Sequence, residues 1–132
     1  MALDYGMVRT GVAVSDPTGT LCRPLCVVKQ AHKERGLGYL AGLVAEHGIE
    51  HVVVGLPLTP KGERGAQAQE SERFAEALRA RLAAAGTQVP VTLYDERFTT
   101  AQAARTGGGA AEDARAAAHL LESWLHHVGG RP

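Results

Sequence analysis

The chain has 132 residues, with 14 acidic and 14 basic side chains, which is enough sequence for one folded domain. No linker, repeat or change of composition divides it, so we expect a single domain over residues 1–132. A formal net charge of zero argues against binding nucleic acid through bulk charge alone, although local basic patches remain compatible with it. We find no apolar stretch of twenty residues and no signal-like start, and we expect a cytoplasmic protein with no membrane partner, as a monomer or a homodimer.

The two cysteines, Cys22 and Cys26, lie four residues apart in a strand-like stretch. On a regular strand this spacing points both side chains to the same face. Two thiols without further ligands do not make a zinc site, and small thiols of this kind suit a reducing compartment. We therefore expect two unbonded thiols.

The first sixteen residues predict two strands joined by a tight turn. Asp4 ends an apolar start, Gly6 gives the backbone the freedom that a tight reversal needs, and Gly11 opens a β-branched run. The carboxylate of Asp4 is either a ligand for a hard cation such as Mg²⁺ or an exposed turn residue. Asp16, which precedes a proline, is most simply a turn former.

Periodicity and chain breakers predict the other elements in chain order. Strands over 1–6, 8–16 and 20–29 are joined by short turns, which makes them antiparallel neighbours. The later elements are a helix over 33–47, a strand over 50–54, a helix over 66–85, a strand over 90–96 and a helix over 110–128. A strand that follows a crossover helix is expected to be parallel. The order βββαβαβα predicts a five-stranded mixed sheet flanked by helices, with the first strand central, as in a ribonuclease H-like fold.

Basic residues near the predicted strand ends are candidates for phosphate contacts. Lys61 and Arg64 lie in a loop rich in proline and glycine, and loops of this composition can move. Arg9 lies in the first hairpin. The alternative for all three is a charge in solvent, with no substrate role.

Acidic residues cluster around the last predicted strand and the start of the last helix. Asp95 and Glu96 end the strand, and Asp95 points away from the face of Glu96 if the strand stays regular. Arg97 either binds phosphate or neutralises the adjacent acids. Asp113 lies in the first turn of the last helix, where an acid often serves the helix dipole, and Glu112 could replace it if the helix is rotated by one residue.

Four motifs, in this order, resemble those of the YqgF/RuvX family over nearly the whole chain. They are Asp4-Tyr-Gly6 with Arg9-x-Gly11-Val-Ala-Val-Ser-Asp16-Pro17, Val-Val-Gly55-Leu-Pro57, Asp95-Glu96-Arg97-Phe-Thr99-Thr100, and Asp113 followed by an alanine-rich helix. The family tends to carry a longer lysine- and arginine-rich segment before the last helix. In this chain Glu96 and Asp113 are only seventeen residues apart.

The resemblance implies a ribonuclease H-like fold and a metal-dependent nuclease related to Holliday-junction resolvases, which matures the 5′ end of pre-16S rRNA. It implies Asp4, Glu96 and Asp113 as the catalytic residues and as ligands of Mg²⁺ or Mn²⁺. The expected partner is nucleic acid, either an rRNA precursor or branched DNA. The alternative is a non-catalytic domain of the same fold that binds RNA, a ribosome-assembly partner or a transcription factor.

Overall fold

The computed structural model describes residues 1–98 and 110–129. Thr99, Thr100 and the triple glycine 107–109, which we expect to begin a short helix and to break the chain, lie outside the described residues. In chain order the elements are β1 (Ala2–Asp4), β2 (Arg9–Ser15), β3 (Cys22–Lys29), α1 (Glu34–Glu46), β4 (Val52–Leu56), α2 (Ala66–Ala84), β5 (Val91–Asp95), a 3₁₀ turn (Glu96–Phe98) and α3 (Ala110–Gly129).

The five strands form one mixed sheet in the order β3-β2-β1-β4-β5. The hairpin strands β1, β2 and β3 are antiparallel, whereas β4 runs parallel to β1 and β5 runs parallel to β4. The predicted fold class, strand directions and central first strand are confirmed. Strand β1 is shorter than predicted, and β4 begins two residues later than predicted.

Each face of the sheet carries its own apolar layer. Leu3, Val12 and Val54 pack with the inner sides of α1 and α2 on one face. The neighbouring residues Ala2, Ala13 and Val53 pack with α3 on the other face. This alternation follows from the two-residue period of side chains along a strand.

Small residues allow α3 to lie close to the sheet. Ala117 and Ala118 of the helix are buried against Ala2 and Ala13 of the strands. The buried stripe of α3 is broader than predicted, because Ala116 and Leu120 are also fully buried. Toward β5, the hydroxyls of Tyr94 and Ser123 lie 3.1 Å apart.

Two details of side-chain placement differ from expectation. The pairing of β2 with β3 shifts between Val12 and Ala13, whose partners are Cys26 and Pro24, so Leu25 is an extra residue. An extra residue reverses the alternation of side chains, and Cys22 and Cys26 therefore pack on opposite faces, not on the same face as predicted. Both are free thiols. Ala85, predicted on the buried face of α2, is exposed beyond the helix end.

Candidate active site

The candidate site lies at the carboxyl end of the central strand β1, the sheet edge where ligands collect in open α/β folds. Asp4 is the last residue of β1 and only 3% exposed. It shares the α3 face of the sheet with Ala2, two residues before it. The ring of Tyr5, the next residue, stacks on Phe74 of α2 at 4.4 Å and thereby fixes the end of the strand.

Glu96 lies beside Asp4 because a glycine leaves room for it. The register of β1 and β4 pairs Leu3 with Val54, which places Asp4 alongside Gly55. A Cβ atom at Gly55 would lie 2.2 Å from Glu96 Oε1, so the Glu96 carboxyl group covers the bare backbone of that residue. Glu96 is only 4% exposed, yet it lines a pocket of about 200 Å³ between the β1–β2 turn and α2.

Asp113 reaches the other side of Asp4 through a second glycine. Asp4 pairs directly with Gly11 of β2, and a Cβ atom at Gly11 would lie 1.9 Å from the main-chain oxygen of Asp113. The first turn of α3 therefore rests on the strand neighbour of Asp4. Glu112, the alternative to Asp113, instead pairs with Arg115 at 3.0 Å along the helix.

The carboxyl group of Asp113 forms an ion pair with Arg9. Arg9 Nε lies 2.9 Å from Asp113 Oδ2, and the two side chains are 36% and 13% exposed. Within residues 1–98 and 110–129, no three Asp, Glu, His or Cys side chains are placed to hold a metal ion as they stand. A third carboxylate ligand at this edge thus requires Asp113 to exchange its arginine for a cation.

The donor set fits a hard divalent cation. Asp4, Glu96 and Asp113 supply only oxygen atoms, which Mg²⁺ and Mn²⁺ prefer. The glycines at positions 11 and 55 leave space that any side chain would fill. These two glycines are functional residues that sequence reasoning did not assign, although each lies within a motif of the family and in a strand, where glycine often marks a close approach.

Arg97 pairs with Asp95 rather than standing free for a phosphate. Its guanidinium donates hydrogen bonds of 2.8–3.2 Å to the Asp95 carboxylate, and these bonds hold the pKa of Asp95 below its usual range. The same guanidinium lies 3.4 Å from the main-chain oxygen of Pro60. Of the two alternatives for Arg97, the structure shows neutralisation of an adjacent acid.

The other predicted basic contacts lie in the β4–α2 loop. Arg64 Nε donates to both carboxylate oxygens of Glu72, at 2.8 and 3.1 Å, and its charge is thereby paired on α2. The loop is closed by hydrogen bonds, including one of 2.8 Å from the main-chain N–H of Gly62 to the oxygen of Thr59. Lys61 is exposed.

Asp16 has the predicted turn role. Its Oδ1 accepts hydrogen bonds of 2.8 and 3.0 Å from the main-chain N–H groups of Thr20 and Leu21, and Thr18 Oγ1 donates to its Oδ2 at 2.6 Å. These bonds, the one from Thr18 first, lower the pKa of Asp16. It lines a groove with Trp124 and Leu125 near the carboxyl end of α3, whereas Asp113 lies in the first turn of that helix.

The sheet order, the helices on both faces and the buried acids at the end of β1 define an α/β protein of the ribonuclease H-like class. Two solved structures of Thermus thermophilus RuvC, one of them in complex with a Holliday junction substrate, share this fold with TM-scores of 0.53 and 0.58. Each is 20% identical to this chain, and each match covers 96% of this chain and 94% of the RuvC chain.

The chain belongs to the RuvX family, whose model, described as Holliday junction resolvase, matches residues 1–127. A relative from Chloroflexus aurantiacus named "Putative pre-16S rRNA nuclease" is 43% identical over 103 residues, which are 78% of this chain and 64% of that relative. A relative of the same name from Anaeromyxobacter is 39% identical, and the match covers 95% of this chain and 94% of that protein. No helix in the described residues could span a membrane.

Proposed function

We propose that this protein is a divalent-metal-dependent nuclease that hydrolyses phosphodiester bonds, and that its substrate is the 5′ end of the pre-16S rRNA. The observation that carries the proposal is the pair of glycines flanking Asp4, over which Glu96 and Asp113 approach the same strand end. The names of the relatives support the choice of substrate. The fold of RuvC keeps branched DNA as a second substrate to test.

In this proposal Asp4, Glu96 and Asp113 are the catalytic residues and hold two cations, with Asp4 between the other two. The bound Mg²⁺ or Mn²⁺ supplies the charge that activates the attacking water and stabilises the leaving oxygen. Burial of Asp4 and Glu96 limits competition from bulk water for their oxygen atoms. A buried carboxylate next to another raises the free energy of the ionised pair, and this cost favours capture of a cation.

Arg9 has two roles in the proposal. It neutralises Asp113 in the arrangement described above. When Asp113 turns to a cation, the guanidinium of Arg9 is released beside the site, where its planar fork suits two phosphate oxygens. Arg97 orders the end of β5 through Asp95, and Lys61 is placed to contact a phosphate farther along the substrate.

Cleavage of a 5′-labelled pre-16S rRNA transcript, with Mn²⁺ or Mg²⁺ and with chelator, tests the proposal. Asp4→Asn should abolish metal-dependent cleavage and leave the melting temperature equal or higher, because it removes one charge from a group of acids. Asp16→Asn is the matched control, since it changes the same side chain in a turn remote from the site, and it should cut like the parent.

Equal cleavage by Asp4→Asn and the parent would refute the nuclease proposal and favour the non-catalytic alternative. A four-way DNA junction assayed in parallel tests the substrate separately. Cleavage of the junction without cleavage of the RNA would refute the rRNA substrate while leaving the metal-dependent chemistry in place.

A further inference from the structure

A groove outside the carboxylate site runs along the free edge of the sheet. Strand β3 is the edge strand next to β2, and the groove of about 520 Å³ lies between its last residues and the first half of α1. Its lining includes Val27, Lys29, Gln30, Lys33, Arg35 and Tyr39.

The charge of this groove is positive. Lys29, Lys33 and Arg35 are all exposed, and their side chains form no ion pair within the part of the chain that the structure describes. Three positive charges in one groove are a local concentration, because the whole chain has a formal net charge of zero. Such a cluster attracts a polyanion.

An exposed aromatic ring lies at the end of the same groove. Tyr39 is 53% exposed, and in the described residues its ring contacts no other aromatic ring. It follows Arg35 by one helical turn, so both side chains lie on the same side of α1. A basic groove beside an accessible ring is the arrangement that binds single-stranded nucleic acid, with phosphates on the cations and a base on the ring.

The edge of β3 is poorly suited to a strand of another protein. Proline at position 24 lacks the N–H that strand pairing needs, and Arg23 and Lys29 place charges along the same edge. Proline and charged residues are the features that prevent pairing at a sheet edge. The edge therefore favours a polyanion over a docked β-strand.

The groove is continuous with the candidate site. Asp4 pairs with Gly11, and Gly11 pairs with Val27, which lines the groove. Two strand spacings, or about 10 Å, therefore separate the backbones of Asp4 and the groove. Arg9, the partner of Asp113, lies directly opposite Lys29, so positive side chains continue from the site to the edge.

We propose that the β3–α1 groove binds a single-stranded segment of the nucleic-acid substrate. Lys29, Lys33 and Arg35 contact its phosphates, and Tyr39 stacks on an unpaired base. The proposal rests on the proposed function, because the bound segment is an extension of the strand that reaches Asp4. It adds a substrate feature: the cleaved junction is flanked by unpaired nucleotides.

The test is the binding of a fluorescent twelve-nucleotide oligouridine, followed by anisotropy in chelator so that neither metal nor cleavage contributes. The double variant Lys33→Ala/Arg35→Ala should bind about tenfold more weakly near 0.1 M salt. Its log K against log salt should lose about 1.4 of its slope, about 0.7 for each phosphate contact on a single strand. Tyr39→Leu should bind about tenfold more weakly with the slope unchanged, and Tyr39→Phe should bind like the parent.

Matched controls separate the groove from general charge and from catalysis. Arg23→Ala removes a charge from the other end of the same edge strand, and it should bind like the parent, whereas Lys29→Ala should bind more weakly. Asp4→Asn should bind the oligonucleotide at least as well as the parent even though it does not cut. A failure of the proposed function would thus show in cleavage and leave these binding results intact.

Binding and salt slope unchanged in Lys33→Ala/Arg35→Ala would overturn the proposal, as would an equal loss in Arg23→Ala. Sedimentation of each variant detects the competing use of this edge, a contact between copies of the chain. A variant that changes the oligomeric state without changing oligonucleotide affinity would also overturn the proposal.

Discussion

At the scale of single residues, the site is governed by how buried carboxylates are balanced. Asp4 and Glu96 are nearly inaccessible, and acids are rarely so buried unless they are paired or bind a metal. Asp113 is balanced by Arg9, which makes the arginine a competitor for any cation that needs the Asp113 carboxylate. A competitor of this kind has a measurable consequence for metal affinity.

We expect Arg9→Gln to bind Mn²⁺ more tightly than the parent in the absence of nucleic acid. The gain should be about twofold to fivefold, which corresponds to the ~0.5–1 kcal/mol of a partly exposed ion pair. Isothermal titration calorimetry measures it. Lys29→Gln removes a charge one strand away without a contact to Asp113, and it should change the affinity less. Unchanged or weaker Mn²⁺ binding by Arg9→Gln would contradict the competition.

At the scale of elements, the docking of α3 depends on the glycine beneath it. The helix begins where the main chain at Asp113 crosses Gly11, and it continues over the small side chains Ala2 and Ala13. The close contact is between two backbones, so no side-chain rotation can relieve an added methyl group there.

We expect Gly11→Ala to lower the free energy of unfolding by about 1–3 kcal/mol, the usual range for overpacking, or by more. Gly42→Ala is the control, because Gly42 is exposed on α1 and an added Cβ would meet nothing within 4 Å. It should raise the free energy of unfolding by about 0.5–1 kcal/mol through helix propensity. Urea denaturation followed by circular dichroism measures both, and equal stability of Gly11→Ala and the parent would refute the close contact.

Element order could be predicted from the sequence, because periodicity and breakers are local signals. The extra residue at Leu25 could not, since it depends on how β3 pairs with β2, and it reversed the expected faces of the cysteines. The pairing of Arg9 with Asp113 joins residues about a hundred positions apart and depends on the docking of α3. The run Lys29, Lys33, Arg35 and Tyr39 was a readable signal, with a basic residue and an aromatic one helical turn apart.

At the scale of the whole molecule, α3 links the two ends of the sheet. Its first turn lies on Gly11 beside the carboxylates, and at its other end Trp124 contacts the ring of His51 at 4.6 Å between centroids. His51 Nε2 also lies 2.7 Å from the hydroxyl of Thr92 on β5. His51 is thus enclosed by three elements, and its protonation acts on their packing.

We expect stability to fall as the pH decreases through the range in which His51 titrates. Burial, and then the positive charge of the Met1 amine, lower the pKa of His51 below its ordinary value of 6.5. The unfolded chain therefore takes up the proton first. The contribution of His51 to stability is complete above about pH 6.5 and is lost as the pH falls through the folded-state pKa. Melting temperatures from about pH 7.5 to about pH 5 should fall less in His51→Gln than in the parent, whereas His126→Gln, at an exposed position on α3, should follow the parent. Parallel curves for His51→Gln and the parent would show that the packing of α3 on His51 does not couple protonation to folding.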